Sequence, residues 1–363
     1  MYVLQIDFHY YATFAMARCA GLNVESATRI ATAAQFVDDN ASPHDIEFED
    51  GSSLSVEATA HHVADLANRD KIDQRNVWVP FHFLPGNIGD SFTQKLICRE
   101  DSAIAKQMLA HYLGESDKDY YLALIGIMAH VYADTFSHYG FSGVSSRRNR
   151  VSSRSFAFRN SGQEVRDSVH DKQQNFLTRF GNQLIRNIKS SVAEDLSGAL
   201  GHGAVLTYPD APYLEWKFEY EAYKDEAVKS SGWRDNKASF LLYCQKIHLL
   251  FTQLVAQNPN YEQADAKCLW SDIEPKVKQI IAVRADKYGR IQAWQNAAKT
   301  GLFNHPEEIP EYQDWNGDFA LIKGCSGSHE AIHFPLYRFY QAASYHRWYI
   351  LRQLLPQHGL AVK

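Results

Sequence analysis

Closely spaced cysteines are absent from this 363-residue sequence. Its five cysteines are odd in number and far apart in the chain, and no two of them form a Cys-x-x-Cys pair. This spacing argues against a disulfide framework and against a thiolate zinc site, and it favours reduced thiols in the core.

An excess of basic residues is also absent, because 37 Lys and Arg residues face 42 Asp and Glu residues, for a formal net charge of -5. The lack of a basic footprint argues against a dedicated duplex-DNA binder. The cluster Arg147-Arg148-Asn149-Arg150 could meet an anionic substrate, although a run of charge is more often a solvated face.

No apolar run is long enough to span a bilayer, and the first residues lack the positive region of a secretory signal peptide. We therefore expect a cytoplasmic protein without a transmembrane segment. Export by a route that needs no cleaved signal is the alternative. The sequence also has no Gly-rich phosphate loop, no internal repeat and little period-two alternation.

The chain is 45% hydrophobic, which is enough for a large core, and its apolar periodicity is mostly helical. We predict an all-α protein, a multi-helix bundle with long loops. Asn23 is the expected N-cap of the first well-defined helix. The predicted helices cover 24–37, 101–113, 163–194, 238–257, 271–299 and 332–355. We further predict a metal-binding catalytic core over 1–230 and C-terminal helices over 231–363 that pack on it as one domain.

The most informative stretch is an apolar helix that begins near residue 119 and contains His130, Asp134 and His138, each four residues after the last. Positions four apart drift by roughly 40° around a helix, so the three side chains share one stripe. Eight residues of helix rise about 12 Å, so the two histidines would bind different ions, with Asp134 as a bridge. The alternative is a buried His–Asp–His hydrogen-bond network.

Helix ends and loops elsewhere supply His and Asp where packing predicts apolar residues. Asp38 and Asp39 end the first predicted helix, where two carboxylates oppose the helix dipole unless a cation holds them. His82 lies between two phenylalanines in a loop bounded by prolines, and His202 lies between two glycines ahead of Asp210. Ligation by His and Asp without thiolates suits zinc or another borderline divalent metal.

The order of these residues resembles the zinc-dependent phospholipase C and single-strand-specific nuclease superfamily, an all-α fold with three zinc ions. The resemblance spans roughly residues 5–215. The chain also looks like a bacterial family of uncharacterised proteins with the same FHYY, VDD, HFLPG and HxxxDxxxH pattern. The matching positions are His9, Asp38, His82, His130, Asp134, His138, His202 and Asp210.

The resemblance implies two or three zinc ions. It assigns one ion to Asp38, His82, His130 and Asp134. It assigns a second ion to His9 and Asp134, and a third to His138, His202 and Asp210.

Three departures from that family's pattern leave alternatives open. The histidine after the helical aspartate comes four residues later, at His138, instead of six. Asp7 is our candidate substitute for the N-terminal amine that binds zinc in the family. The family's last two ligands form a helical His-x3-Glu pair, and here the loop residues His202 and Asp210 must take that role. By its position in the sequence, His170 is the alternative ligand.

The activity implied is the metal-dependent hydrolysis of phosphoester bonds, of the phospholipase C kind. A metal ion would activate water as the nucleophile, and Asp38 or Asp39 would orient that water as a general base. The candidate substrate contacts are the aromatic residues Tyr10, Tyr11, Phe81 and Phe141.

The negative net charge favours a small phosphoester or a lipid head group as substrate over single-stranded nucleic acid. One alternative is a metal-dependent hydrolase of another bond, such as an amide. A second is a non-enzymatic helical binding protein with a buried His/Asp network. The sequence indicates no immunity or regulatory partner.

Overall fold

One large hydrophobic core joins apolar side chains from both ends of the chain, from Ile6 to Val362. The computed structural model describes residues 5–41, 45–61, 70–152, 155–159, 205, 208–221 and 229–362. The predicted helix over 163–194, with His170, and the predicted ligand His202 lie outside the described residues. The described part is mostly helical, as predicted.

The first half of the chain builds the wall of the core that matters for the site. A π-helical turn, Asp7–Ala12, leads directly into the first α-helix. The α-helices described in this half are α1 (Thr13–Cys19), α2 (Val24–Asp39), α3 (Lys71–Asn76), α4 (Trp78–Phe81), α5 (Phe92–Lys95), α6 (Ala103–Leu113) and α7 (Tyr121–Ser137).

The second half adds helices that pack on the same core. Helix α8 (Asn236–Gln257) contacts both α1 and α7. The later α-helices are α9 (Trp270–Ile281), α10 (Lys287–Lys299), α11 (Asn316–Lys323), α12 (Ser328–Ala331), α13 (Pro335–Trp348) and α14 (Leu355–Gln357). A π-helical segment, Tyr349–Leu354, joins the last two. The predicted boundary at residue 230 stays a prediction.

Two small antiparallel sheets interrupt the helical fold. The first pairs β1 (Ile46–Glu47) with β2 (Ser53–Leu54). The second has the order β3 (Ala157–Arg159), β4 (Glu215–Lys217) and β5 (Arg234–Asp235). Central strand β4 places Trp216 opposite both Phe158 and Arg234, and a second, smaller apolar cluster forms around this tryptophan.

The structure corrects one helix prediction. The helix expected over 271–299 is two helices, α9 and α10, because Asp286 caps the second one by accepting a hydrogen bond from the backbone N–H of Gly289 at 2.9 Å. No described helix has the length and apolar character required to cross a membrane.

Candidate metal centre

Helices α2 and α7 touch backbone to backbone at Gly126. A Cβ atom built on Gly126 would lie 2.4 Å from the carbonyl oxygen of Ile30 and 2.5 Å from the Cβ of Ala33. Only a residue without a side chain permits so close an approach. The consequence for the site is that the C-terminal part of α2 lies against the histidine-bearing half of α7.

Backbone carbonyl oxygens determine which nitrogen of two imidazoles holds the proton. Nδ1 of His130 lies 2.8 Å from Ala34 O, and Nε2 of His82 lies 2.9 Å from Thr59 O. A carbonyl oxygen only accepts, so both nitrogens are donors, and in a neutral ring the other nitrogen then has a lone pair. Those other nitrogens, His82 Nδ1 and His130 Nε2, lie 3.2 Å apart. A cation between them would stabilise this pair, as carbonyl-oriented histidines do in metal sites.

The carboxylates of Asp134 and Asp38 lie near both of these nitrogens. Asp134 Oδ2 lies 3.2 Å from His82 Nδ1 and 3.3 Å from His130 Nε2. Asp38 Oδ1 lies 3.8 Å and 3.9 Å from the same two nitrogens. A tetrahedral ion with bonds of about 2.0–2.2 Å separates its ligand atoms by about 3.3–3.6 Å. The atoms His82 Nδ1, His130 Nε2 and Asp134 Oδ2 could therefore hold a divalent ion with little rearrangement, and Asp38 forms a second such group with His9 and His130.

His9 approaches the other oxygen of each carboxylate. It lies in the π-helical turn before α1, a local structure that is frequent at functional sites. Its Nε2 lies 3.4 Å from Asp134 Oδ1 and 3.9 Å from Asp38 Oδ2, and its ring stacks on that of His130. Each carboxylate thus points one oxygen to each side, as in carboxylates that bridge two ions. The predicted bridging role of Asp134 is compatible with this geometry and stays a prediction.

The cluster is buried except at one edge. His9, His82, His130 and Asp134 are at most 3% exposed, whereas the side chain of Asp38 is 23% exposed. Burial and the neighbouring His9 lower the pKa of His130 to about 3, so this ring is neutral at neutral pH. Burial raises the pKa of Asp38 well above its usual range, and the adjacent Asp134 adds to that effect. Carboxylates packed in this way are costly unless a cation joins them.

Two buried polar atoms of the cluster, Asp134 Oδ1 and His9 Nδ1, make no hydrogen bond within the described part of the chain. Asp134 Oδ1 is the oxygen that faces His9 Nε2. Leaving a buried acceptor unsatisfied costs about 1–3 kcal/mol, and more for a charged group. An ion between His9 and the two carboxylates would remove that deficit for Asp134.

Residues 4–354 match the model of a family of unknown function, DUF6765. The chain belongs to this family. The match covers every residue of the cluster just described. No curated protein and no solved structure matches the chain.

In this DUF6765 member, His138 lies just beyond the end of α7, as its C-cap residue. Its Nδ1–H donates to His82 O at 3.0 Å, and its Nε2 lies 3.9 Å from Asp210 Oδ1. Burial alone would lower the pKa of His138, but Asp134 and Asp210 raise it to about 9. In this state His138 is a cation held between two carboxylates.

The predicted third ion has two described candidate ligands, His138 and Asp210. Asp210 Oδ1 accepts a hydrogen bond from Gln5 Nε2 at 2.6 Å, so one oxygen of this carboxylate already has a donor. The predicted partner His202 and its rival His170 lie outside the described residues. The third ion therefore stays a prediction.

Two predicted carboxylates have other partners. Asp7 accepts hydrogen bonds from Arg290 at 2.7 Å and 3.1 Å, one to each oxygen, and its predicted metal contact stays a prediction. Asp39 accepts from the hydroxyl of Tyr312 at 2.7 Å and from the amide of Gln35 at 3.3 Å. Burial raises the pKa of Asp39. Asp38 is thus the better placed of the two predicted general bases.

The four aromatic residues predicted to contact substrate are core residues. Tyr10, Phe81 and Phe141 have no exposed surface, and Tyr11 is 4% exposed. The ring of Phe81 packs against His346 with centroids 4.9 Å apart. None of the four presents an open face to a ligand in this structure, and their contact with substrate stays a prediction.

Several contributors to the site could not be found by reading side chains. The proton positions on His130 and His82 depend on the carbonyl oxygens of Ala34 and Thr59, and any residue type supplies a carbonyl. Arg290, which neutralises Asp7, lies 283 residues further along the chain. The one available signal was Gly126, a glycine inside an apolar helix, which indicates close backbone approach.

Proposed function

We propose that the chain is a divalent-metal-dependent hydrolase of phosphoester bonds, with zinc as the expected metal and a phospholipase C-like helical fold. The observation that supports this most directly is the compact group of ligand atoms from His82, His130 and Asp134, with Asp38 beside it. Nitrogen and oxygen ligands without thiolates suit zinc or another borderline divalent ion.

We assign the first ion to His82, His130, Asp134 and Oδ1 of Asp38. We assign the second to His9 and to the other oxygen of Asp134, which leaves Oδ2 of Asp38 to orient water. Bound ions of this kind activate water as a nucleophile and stabilise charge on phosphoryl oxygens.

The protein's own residues would perform three tasks in this reaction. The carbonyl-anchored histidines keep their lone pairs directed into the centre without a change in proton position. The buried walls exclude bulk water, which strengthens the electrostatic interactions inside. Asp38, the exposed edge of the cluster, is the carboxylate that a water molecule and a substrate can reach, so it would orient the attacking water.

The first test is the metal content of untagged protein, measured by inductively coupled plasma mass spectrometry. His82→Gln keeps an amide donor near the position of Nε2, and His130→Asn keeps one near Nδ1, so each variant retains its bond to a carbonyl and loses a ligand. Both should lose most of the bound metal. The control is His346→Gln, because His346 is also buried and bonds Pro80 O through Nε2 but lies outside the cluster. Less than one ion per wild-type chain, or full metal content in both variants, would refute the metal assignment.

The second test separates the bonds that the centre could cleave. Purified protein is assayed on a phosphodiester, on phospholipid vesicles and on a peptide amide. We expect turnover of phosphoesters that the two ligand variants lack and that His346→Gln retains. If only the peptide amide is cleaved, the protein is a metal-dependent amide hydrolase and the phosphoesterase proposal is wrong. Full metal content without turnover of any substrate would favour a binding protein.

A further inference from the structure

A cleft of about 820 Å³ opens beside the end of α7, apart from the His/Asp cluster. Tyr139 and Gly140, which follow His138 directly, form part of its wall. The segment after α5 and Arg234 at the start of β5 form other parts. None of the cluster residues lines this cleft.

The charges around the cleft are almost all positive. Its described lining contains one carboxylate, from Glu221, in a chain whose formal net charge is -5. The basic residues that line it are Arg99, Arg147, Arg148, Lys229 and Arg234. A concave surface with one sign of charge concentrates ligands of the opposite sign.

Arg234 is the most buried of these cations, at 2% exposed. It donates to Tyr139 O at 2.7 Å and to Ser137 O at 2.8 Å, and its guanidinium stacks on the ring of Tyr139. No described carboxylate lies within ion-pair distance of it, and no described residue accepts a hydrogen bond from its Nε. The fold thus holds a buried positive charge at the cleft without a direct ion pair among the described residues, although the charge of Glu100 acts on it from further away.

Gly86, the last residue of the HFLPG motif, makes room for Arg99, a second cation of the cleft. A Cβ atom on Gly86 would lie 2.1 Å from Cγ of Arg99, so the glycine leaves room for the stem of this arginine. The backbone N–H of Gly86 also donates to Ile97 O at 2.9 Å, which fixes the two segments together. Arg99, like Arg234, forms no ion pair with a described carboxylate, and its buried Nε makes no hydrogen bond to the described part of the chain.

We propose that this cleft binds a phosphate-bearing anion. Arginine forks and a lysine around one pocket are the groups that recognise phosphate oxygens through charge-assisted hydrogen bonds. The proposal is independent of the metal centre, because none of its residues belongs to the His/Asp cluster. It also gives a role to the basic residues Arg147 and Arg148, which the metal chemistry leaves unused.

Binding of inorganic pyrophosphate, measured by isothermal titration calorimetry with and without EDTA, tests the proposal. Wild-type protein should bind under both conditions, with affinity that falls as salt rises. The double variant Arg99→Gln/Lys229→Gln should weaken binding by about tenfold or more. The control is Lys237→Gln, an exposed lysine outside the cleft, which should bind as wild type does. Absence of binding, or equal affinity in the double variant and the control, would overturn the proposal.

Two further arms locate the source of the phosphate and separate this test from that of the metal centre. Sedimentation with phosphatidylcholine vesicles, with and without phosphatidate, asks whether a lipid head group is bound. If wild-type protein sediments with phosphatidate vesicles and the double variant does not, the phosphate comes from a lipid head group. Binding of pyrophosphate without vesicle recovery assigns a soluble ligand. Because His130→Asn should still bind pyrophosphate in EDTA, failure of the metal assignment would leave this result unchanged.

Discussion

Gly126→Ala is the sharpest test of how the fold builds the centre. The added methyl group would meet the carbonyl oxygen of Ile30 at 2.4 Å, the Cβ of Ala33 at 2.5 Å and the backbone nitrogen of Ala34 at 3.0 Å. All three atoms belong to the helix backbone or its first side-chain atom, so none can rotate away. The two helices must move apart.

Two opposing effects set the magnitude of the change in stability. Alanine is favoured over glycine inside a helix by about 0.8–1 kcal/mol, which would stabilise α7 taken alone. Overpacking a tight core contact costs about 1–3 kcal/mol. Because the contact here is with backbone, we expect the upper part of that range and a net loss of about 1–2 kcal/mol in the free energy of unfolding.

The same displacement should reach the metal centre. Ala34 O is the acceptor that fixes the proton on His130 Nδ1, and Ala34 N is one of the atoms that the new methyl group would push. We therefore expect reduced metal content in Gly126→Ala, although no ligand is changed. Urea unfolding followed by circular dichroism measures the stability, and mass spectrometry measures the metal.

The matched control is Gly317→Ala in α11, where an added Cβ meets no atom within 4 Å. This variant should be as stable as the wild type or more stable, with unchanged metal content, because only helix propensity acts. Equal or greater stability in Gly126→Ala would refute the close-packing argument. A loss of stability with full metal content would refute the link between helix contact and ligand position.

Two further predictions concern the metal and a buried histidine. EDTA should lower the melting temperature of wild-type protein by several degrees, because a metal present at 100 times its Kd stabilises the folded state by about 2.7 kcal/mol. The melting temperature of His82→Gln should not change with EDTA. Burial lowers the pKa of His346 to about 4, so between pH 6.5 and pH 4 the unfolded chain binds more protons than the folded one. The free energy of unfolding should therefore decrease as the pH is lowered from 6.5 to 4, by up to roughly 3 kcal/mol. His346→Gln should show a shallower fall in urea unfolding at these pH values; an identical pH profile would contradict this explanation.

Local sequence signals predicted much of the helical structure. The N-cap at Asn23 is confirmed, because its side chain accepts from the N–H of Ser26 at 2.8 Å. The helix over 24–37 exists and ends at Asp39. The prediction of one helix over 271–299 is wrong, because a second helix capped by Asp286 begins inside that range. The small sheets escaped prediction because their strands have two or three residues, too few for an alternating pattern.

For the site, spacing predicted which residues converge but not how each one is paired. His130 and Asp134 share a helix face, and their distances to His82 and Asp38 follow from tertiary packing that no local pattern contains. Asp7 illustrates the limit. It was a reasonable ligand by position, yet a guanidinium 283 residues away reaches it first.

A hydrogen-bond network without metal is the main competing explanation of the cluster, and proton positions argue against it. Such a network needs a donor between His82 Nδ1, His130 Nε2 and Asp134 Oδ2, which lie 3.2–3.3 Å apart. In a neutral ring, the single proton of His82 goes to Thr59 O and that of His130 goes to Ala34 O. Adding a proton to His130 at pH 7, four pH units above its pKa of about 3, would cost about 5 kcal/mol. A divalent cation satisfies all three acceptors without that cost, which is why we favour a metal over a proton at the centre of this cluster.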